Sequence, residues 1–435
     1  MVKGFTHLSL CSNYSFKYGV NHPADLVAKA AQLNMASLAL TDIDNLAGAI
    51  RFAQSCESHG VTPILGINLG FIQKQSRLTL LAKSGKLSSL YRLVTAINTN
   101  SSDGVLTVEL LEKFNKYSSD LIALIGPQSQ LINNLIARKE GAALSIYQLA
   151  KSHFDQVAIE CVSHQERVGN LRSTSNAAKS LAFANKHQIP AVITNSVRFL
   201  DRSDGPVADL LDASRKLSLI SDASIERSNG EAYLKSSEQM FELADQISTQ
   251  AGLFDGHQLI KTTLDIAQSC ELKLGISEVD PISNGLLMER FCSLERNELP
   301  DIDIDVESDR RYEIYDLIFK RYGQSDWAKV DNQSRCATVS MVERYRARQA
   351  IRDAGNALGA DRTQIDLLAK SMPHISARNI GNAINQLPEL RRLDLSSPLI
   401  KATINLAMRL DKLPRHLSMH PCAVVISDNR LLDFS

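Results

Sequence analysis

Between Pro300 and Arg310 the chain reads P-D-I-D-I-D-V-E-S-D-R, so Asp301, Asp303 and Asp305 fall at every second position with Ile302, Ile304 and Val306 between them. In a strand, successive side chains alternate across the sheet, which puts the three carboxylates on one face and the aliphatics on the other. Two readings stay open on the residues alone. Hard divalent cations take carboxylate oxygens, and paired metals clamp the oxygens of an in-line phosphoryl displacement, so the triplet reads as a metal site for phosphoryl transfer. It reads equally as an edge strand with a solvated acidic face. The flanking charge is segregated. Glu289 to Asp316 holds ten acids and four bases, whereas Arg335 to Arg378 holds eight bases and four acids. That arrangement suits phosphate handling, although such blocks also form solvated faces.

The elements around these residues follow from periodicity. Ser308 to Gly323 predicts an amphipathic helix with Tyr315, Ile318, Phe319 and Tyr322 as its stripe, Ser308 as N-cap and Gly323 just past its end. A second helix is predicted from about Val339 to Leu358, ended by Gly359, with Arg344, Arg348 and Arg352 on one face. Upstream, short aliphatic runs predict strands at Phe5–Leu10, Ser37–Thr41, Thr62–Leu69, Arg77–Ala82, Leu121–Ile125, Val157–Cys161 and Ala191–Thr194. Helical patterns at Pro23–Asn34 and Arg172–His187 lie between some of them, and this alternation indicates a parallel sheet or barrel. His416 and His420 stand four apart, a spacing that suits zinc only on a helix with a third ligand, and Pro421 argues for a structural role instead.

Composition sets the frame. A chain of 435 residues has room for two or three domains, and its 48 basic and 48 acidic side chains give no global pull toward nucleic acid. Seven scattered cysteines without a C-x-x-C pair point away from a zinc ribbon or a disulfide framework, and toward a reducing compartment. The N-terminus lacks a signal-peptide pattern and no run approaches about 20 apolar residues, so a cytoplasmic protein without a membrane span is expected.

The stretch Gly285 to Gly323, G-L-L-M-E-R-F-C-S-L-E-R-N-E-L-P-D-I-D-I-D-V-E-S-D-R-R-Y-E-I-Y-D-L-I-F-K-R-Y-G, resembles the palm of the bacterial DNA polymerase III α subunit and its error-prone paralogues. The resemblance implies Asp301 and Asp303 as catalytic metal ligands, holding Mg²⁺, with Asp305 supporting them. A-R-Q-A-I-R-D-A-G-N-A-L-G is similar to an element near that family's fingers and implies phosphate contacts for Arg348 and Arg352. L-P-R-H-L-S-M-H-P-C-A-V-V-I-S-D resembles a strand-forming palm segment. Leu274 to Pro281, L-G-I-S-E-V-D-P, matches text that in the family lies downstream of a glycine-rich phosphate loop, yet here it directly follows D-I-A-Q-S-C-E-L-K. The expectation is that this loop, the thumb and the first part of the palm are deleted, and that the third catalytic aspartate of the family lies beyond Ser435.

The opening H-L-S-L-C-S-N-Y-S-F, then A-L-A-L-T-D-I-D-N-L-A-G, G-V-T-P-I-L-G-I-N-L and P-A-V-I-T-N-S-V-R-F-L resemble the PHP domain, a metal-binding barrel that opens the same polymerase chains. Its ligand positions have changed. Ser9 and Cys11 replace an H-x-H pair, Thr41-Asp42-Ile43 replaces T-D-H, Asn68 replaces a glutamate, and Ser196 and Arg198 replace the late Asp and His. Asp42 remains, with His7 and His164 as candidate remnants, and so few oxygen and nitrogen donors imply loss of the PHP metals. The expected fold class is α/β: a PHP-type distorted (β/α)7 barrel with a helical extension over residues 1–275, then a partial palm and start of fingers, α+β, over 276–435. The expected function is that of a DNA polymerase III α-like protein of replication or repair, with catalysis impaired and DNA and other replication proteins as partners. The alternatives are a PHP-type phosphoesterase or a non-catalytic scaffold.

Overall fold

The aliphatic runs of the first two hundred residues become one sheet with strands β1 (Ser37–Leu40), β2 (Thr62–Phe71), β3 (Gln73–Ala82), β4 (Val105–Leu106), β5 (Leu121–Ile125), β6 (Gln156–Val162) and β7 (Ala191–Thr194). The computed structural model describes residues 4–100, 104–222, 225, 229–272, 303–323, 334–391, 395–427 and 430–431. The strand order is β1-β2-β3-β5-β6-β7, with β4 beside β2. The sheet is mixed where the sequence pattern indicated a parallel one: β1–β2, β5–β6 and β6–β7 run parallel, but β2–β3 and β3–β5 are antiparallel. The cause is the link between β2 and β3. Ile72 alone joins them, in a left-handed conformation at φ 64°, and a link that short permits only a hairpin.

The expected first strand serves as the closure. Ala39 and Thr41 donate backbone hydrogen bonds to the carbonyls of His7 and Leu10, while Val197 donates to Ser9 and Cys11 donates to Val197. Residues 7–11 thus join the β1 edge to the chain leaving β7, and the sheet curls into the distorted barrel. Along its strands, one face changes character. Leu8, Ala39, Ile64, Leu81, Ile122, Leu124, Ala158 and Val192 pack with Ala267 and Cys270 of the helix His257–Cys270 to form an apolar floor. Two or four residues on, by the two-residue period of a strand, the same face presents Asn68, Thr79, Arg77, Glu160 and Thr194. The floor is sealed and the mouth is polar.

A second core lies beside the mouth. It joins the helix Gly205–Lys216, through Val207, Leu210 and Leu211, to Ala350, Ile351 and Ala354 of the helix Ala347–Leu358 and to Ile400 and Ala407 of the helix Pro398–Arg409. A small residue also lets the helix Arg362–Ser371 approach: a Cβ on Gly355 would stand 2.5 Å from Ile365 Cδ1. Gly359, at φ 74°, ends the helix in the left-handed region, as its position in the sequence predicts. The chain before this helix departs from expectation. Val339 to Arg344 belongs to strand β8 (Cys336–Arg344), paired antiparallel with β9 (Pro414–Ile426), because the alternating β-branched run finds a cross-strand partner. Arg344 is therefore not on a helical face with Arg348 and Arg352.

The acidic segment is corrected as well. Residues 303–307 form no strand, and Ile304 is 67% exposed. Among the described residues no neighbouring strand pairs with them, so nothing holds a pleat or covers the aliphatics. The helix that follows runs Arg311–Tyr322 after a 3₁₀ turn at Ser308–Arg310, so Ser308 lies inside the turn, not at its cap. Tyr315, Ile318, Phe319 and Tyr322 are half-buried, and Gly323 is extended at φ −99°. The boundary expected at residues 275 and 276 lies outside the described residues.

Ile351→Ala opens a cavity at the centre of the second core and should cost about 2–5 kcal/mol of unfolding free energy in a urea titration. An effect under about 1 kcal/mol would show that the helices do not pack as described.

Candidate functional site

The polar mouth collects most of the residues that the sequence marked. Asp42, 1% exposed, follows the end of β1 and receives three hydrogen bonds: Ser12 N (2.7 Å) and Ser15 Oγ (2.7 Å) donate to Oδ1, and Ser12 Oγ (2.8 Å) donates to Oδ2. Burial pushes its carboxyl up to about 6 despite those donors, because the lost hydration outweighs them. Cys11 lies close by. Burial, with Asp42 adding, raises its thiol to about 12, so it stands as a neutral thiol and not as a thiolate ligand.

The other altered positions are likewise engaged by the protein. Asn68 donates from Nδ2 to Thr79 Oγ1 (2.9 Å) and accepts at Oδ1 from Arg77 Nε (2.8 Å), and Arg77 continues to Asp44 Oδ1 (2.9 Å). Ser196 sits in the left-handed region at φ 42°, its N–H directed to Thr194 Oγ1 (3.3 Å). Arg198 is buried. Its guanidinium donates to Asp212 Oδ2 (2.8 Å), the Ala208 carbonyl (3.0 Å) and the Tyr18 carbonyl (2.8 Å), and it lies 4.0 Å from the Tyr18 ring centroid. Both candidate remnant histidines are buried and neutral. His7 Nε2 donates to the Lys235 carbonyl (2.9 Å) and His164 Nε2 to the Asn195 carbonyl (2.8 Å). Burial first, with nearby cations adding, lowers them to about 4 and about 3.

This donor set does not fit the metal cluster of a PHP site. Both oxygens of Asp42 already accept from hydroxyl and amide donors, serine and asparagine stand at Ser9, Asn68 and Ser196, and a fixed cation occupies the Arg198 position. Among the described residues, no group of three or more His, Cys, Asp or Glu side chains is placed to hold an ion. What the mouth does contain is a polar cleft of about 20 Å³, lined by Ser9, Asn68, Arg77, Glu160, Arg172 and Ser196. Glu160, Arg77 and Arg172 were missed from sequence. The available signal was a lone acid in an otherwise apolar run, Q-V-A-I-E-C-V. Thr194 Oγ1 donates to Glu160 at 2.6 Å, and a Cβ on Gly126 would stand 2.2 Å from Glu160 Oε2, so any larger residue there would have to displace the Glu160 carboxyl.

The polymerase-type candidates lie apart from this mouth. Asp301 is outside the described residues, and Asp303 and Asp305 are exposed. Exposed carboxylates of this kind are available as oxygen donors to a hard cation. Arg348 donates from Nε to the Met372 carbonyl (2.7 Å) and Arg352 to Asp366 Oδ1 (3.1 Å), so both have local partners. His416 and His420 lie on β9, not on a helix.

Comparison with known proteins places these features in a family context. Residues 7–164 match the PHP domain, and residues 268–435 match the bacterial DNA polymerase III alpha NTPase domain. An error-prone DNA polymerase of Symbiobacterium thermophilum is 27% identical over 99% of this chain and 48% of its own length. The DNA polymerase III subunit alpha of Bacillus subtilis is 24% identical over 99% of this chain and 45% of its own. The chain thus spans about half the length of these relatives. The Symbiobacterium alignment extends over 531 residues against 435 in this chain, so the relative carries about a hundred residues with no counterpart here. An amidohydrolase from Chromobacterium violaceum is 15% identical, with a TM-score of 0.29, over 45% of this chain and 88% of its own.

Because the folded-state pKa of Asp42 lies above its unfolded value of 3.8, the folded protein holds the extra proton, and stability falls as pH rises from about 4 to about 6. Asp42→Asn should remove that fall, worth roughly 2–3 kcal/mol at ~1.4 kcal/mol per pKa unit. Parallel stability-versus-pH curves for parent and variant would contradict the buried, raised carboxyl.

Proposed function

Because the chain belongs to the DNA polymerase III alpha-like family, we propose that it acts on DNA in replication or repair as a reduced polymerase-type protein with impaired nucleotidyl transfer. The observation that carries this reading is the PHP match at residues 7–164 followed by the polymerase match at 268–435, with similarity to an error-prone DNA polymerase over 99% of the chain. Asp301 and Asp303, with Asp305 beside them, are the residues proposed to hold Mg²⁺, which when bound supplies charge neutralisation at phosphoryl oxygens. Of these, Asp303 and Asp305 are exposed to water, ahead of the 3₁₀ turn Ser308–Arg310 that leads into the helix Arg311–Tyr322.

One feature of the sequence supports impairment. Two-metal transfer needs a triphosphate held in line. In the sequence, L-G-I-S-E-V-D-P follows directly on D-I-A-Q-S-C-E-L-K, with no glycine-rich loop between them to cradle a triphosphate. Arg348 and Arg352 hold Met372 and Asp366 through Nε, which leaves their terminal nitrogens to meet phosphates, and they are proposed as secondary contacts. A PHP-type phosphoesterase is the weaker reading, since the mouth's donors are taken up by serines and arginines. The partners proposed are DNA and other replication or repair proteins. Among the described residues no helix is long and apolar enough to cross a membrane.

Primer extension with Mg²⁺ and with Mn²⁺, on the parent and on an Asp301→Ala, Asp303→Ala double variant, should yield no incorporation by either, while the parent still binds a primer–template. Incorporation by the parent that disappears in the double variant would overturn the impairment.

A further inference from the structure

The turn between the helices Ser237–Gln250 and His257–Cys270 sends Leu253 inward and Phe254 outward. Leu253 packs against the buried apolar residues of the barrel, while Phe254 is 99% exposed. The turn is fixed in place. Gly252, at φ 79°, donates its N–H to the Thr249 carbonyl (3.1 Å), Leu253 donates to the Ser248 carbonyl (2.9 Å), and Gly256 N–H donates to Asp245 Oδ1 (2.7 Å). A Cβ on Gly256 would stand 2.5 Å from the Ala244 backbone, so the turn lies close against its own helix. A second projecting turn meets the same helix. Gln165 Nε2 donates to Gln246 Oε1 (3.4 Å), which sets the loop 165–172 against it. At the tip of that loop Asn170 donates to the Arg167 carbonyl (3.0 Å), and Val168 between them is 84% exposed. Asp245 and Gln246, which hold the two turns, also line a shallow groove of about 570 Å³ with Thr174, Thr249 and Gln250.

We infer that this patch is a self-association surface, on which Phe254 of each of two copies enters the groove of the other about a two-fold axis. A single exposed phenylalanine is ordinary on a protein surface. What points to a second copy is the company it keeps. The groove is nearly free of charge, with Asp245 its one ionisable group and already accepting from Gly256, as the centre of a contact surface requires. The flanking charges are opposite in sign: exposed Arg167 precedes Val168, and exposed Asp255 follows Phe254. A two-fold contact must be complementary to itself, so knob and recess, and acid and base, must lie on one patch. Here they do, and the axis that seats Phe254 in the facing groove brings Asp255 of one copy to the Arg167 turn of the other. A partner of a different kind needs no such self-match. Burying two phenylalanine rings removes about 300–500 Å² from water, a substantial part of the roughly 1,200 Å² at which specific interfaces begin. Because both turns are already fixed, little conformational freedom is lost on contact. The inference is independent of the DNA-acting reading above.

The test is sedimentation velocity of the full chain over about 1 to 100 µM protein, on the parent, Phe254→Ser, Arg167→Glu and the double reversal Arg167→Glu/Asp255→Arg. The parent should pass from monomer to dimer within that range. Phe254→Ser should weaken the association about tenfold or more, and because that side chain is exposed its loss leaves the fold intact. Arg167→Glu sets an acid against Asp255 and should weaken it too, whereas the double reversal restores an opposite pair and should recover much of the parent's association. A parent that stays monomeric at the top of the range would overturn the proposal and leave the patch to a different protein. Association unchanged in Phe254→Ser would put the contact on another surface and overturn it equally. A double reversal that associates no better than Arg167→Glu, with a circular dichroism spectrum matching the parent, would overturn the two-fold arrangement.

Discussion

Arg198 and Asp212 meet at 2.8 Å with side chains only 10% and 9% exposed, and much of the molecule's organisation depends on that buried pair. Neither charge can be hydrated there, so each needs the other and the further contacts that surround it. Arg198 sits where the chain leaves β7, and its fork reaches back to Tyr18 at the barrel mouth and across to Ala208 and Asp212 on the helix Gly205–Lys216. That helix is the barrel-side wall of the second core. One guanidinium thus holds together the mouth of the barrel and the platform on which the polymerase-type helices pack.

The same constraint explains the rest of the mouth. A ring of strand ends laid over an apolar floor is poor in water, and every polar group there is either paired inside the protein or carried neutral. Asp42 is saturated by Ser12 and Ser15, Cys11 remains a thiol, and His7 and His164 remain uncharged. A metal cluster solves this problem with ions; this chain solves it with arginines and hydroxyls. The barrel then serves as a base, and the exposed carboxylates of Asp303 and Asp305 lie apart from it.

The sequence was most legible where a local period and a burial demand coincide. The strands from Ser37 to Thr194 and the helix at Pro23 stand where the aliphatic alternation and the proline at the first turn place them. Three of the positions marked by the family resemblance, Ser9, Asn68 and Ser196, line one polar cleft. What could not be read depends on partners distant in the chain. Val339 to Arg344 looked helical until paired with a strand some eighty residues away, and the acidic triplet looked like a strand although nothing pairs with residues 303–307. Asp212 carried no sequence signal, since its role exists only opposite Arg198.

The most direct test of this account is the unfolding free energy of the full chain, measured with and without a strong chelator, beside an Arg198→Met variant. The account predicts that chelation changes nothing, while loss of the guanidinium leaves Asp212 buried and unpaired at a cost of about 3–5 kcal/mol. A chelator that destabilises the parent by a comparable amount, with Arg198→Met close to neutral, would show that ions hold the mouth together and would contradict it.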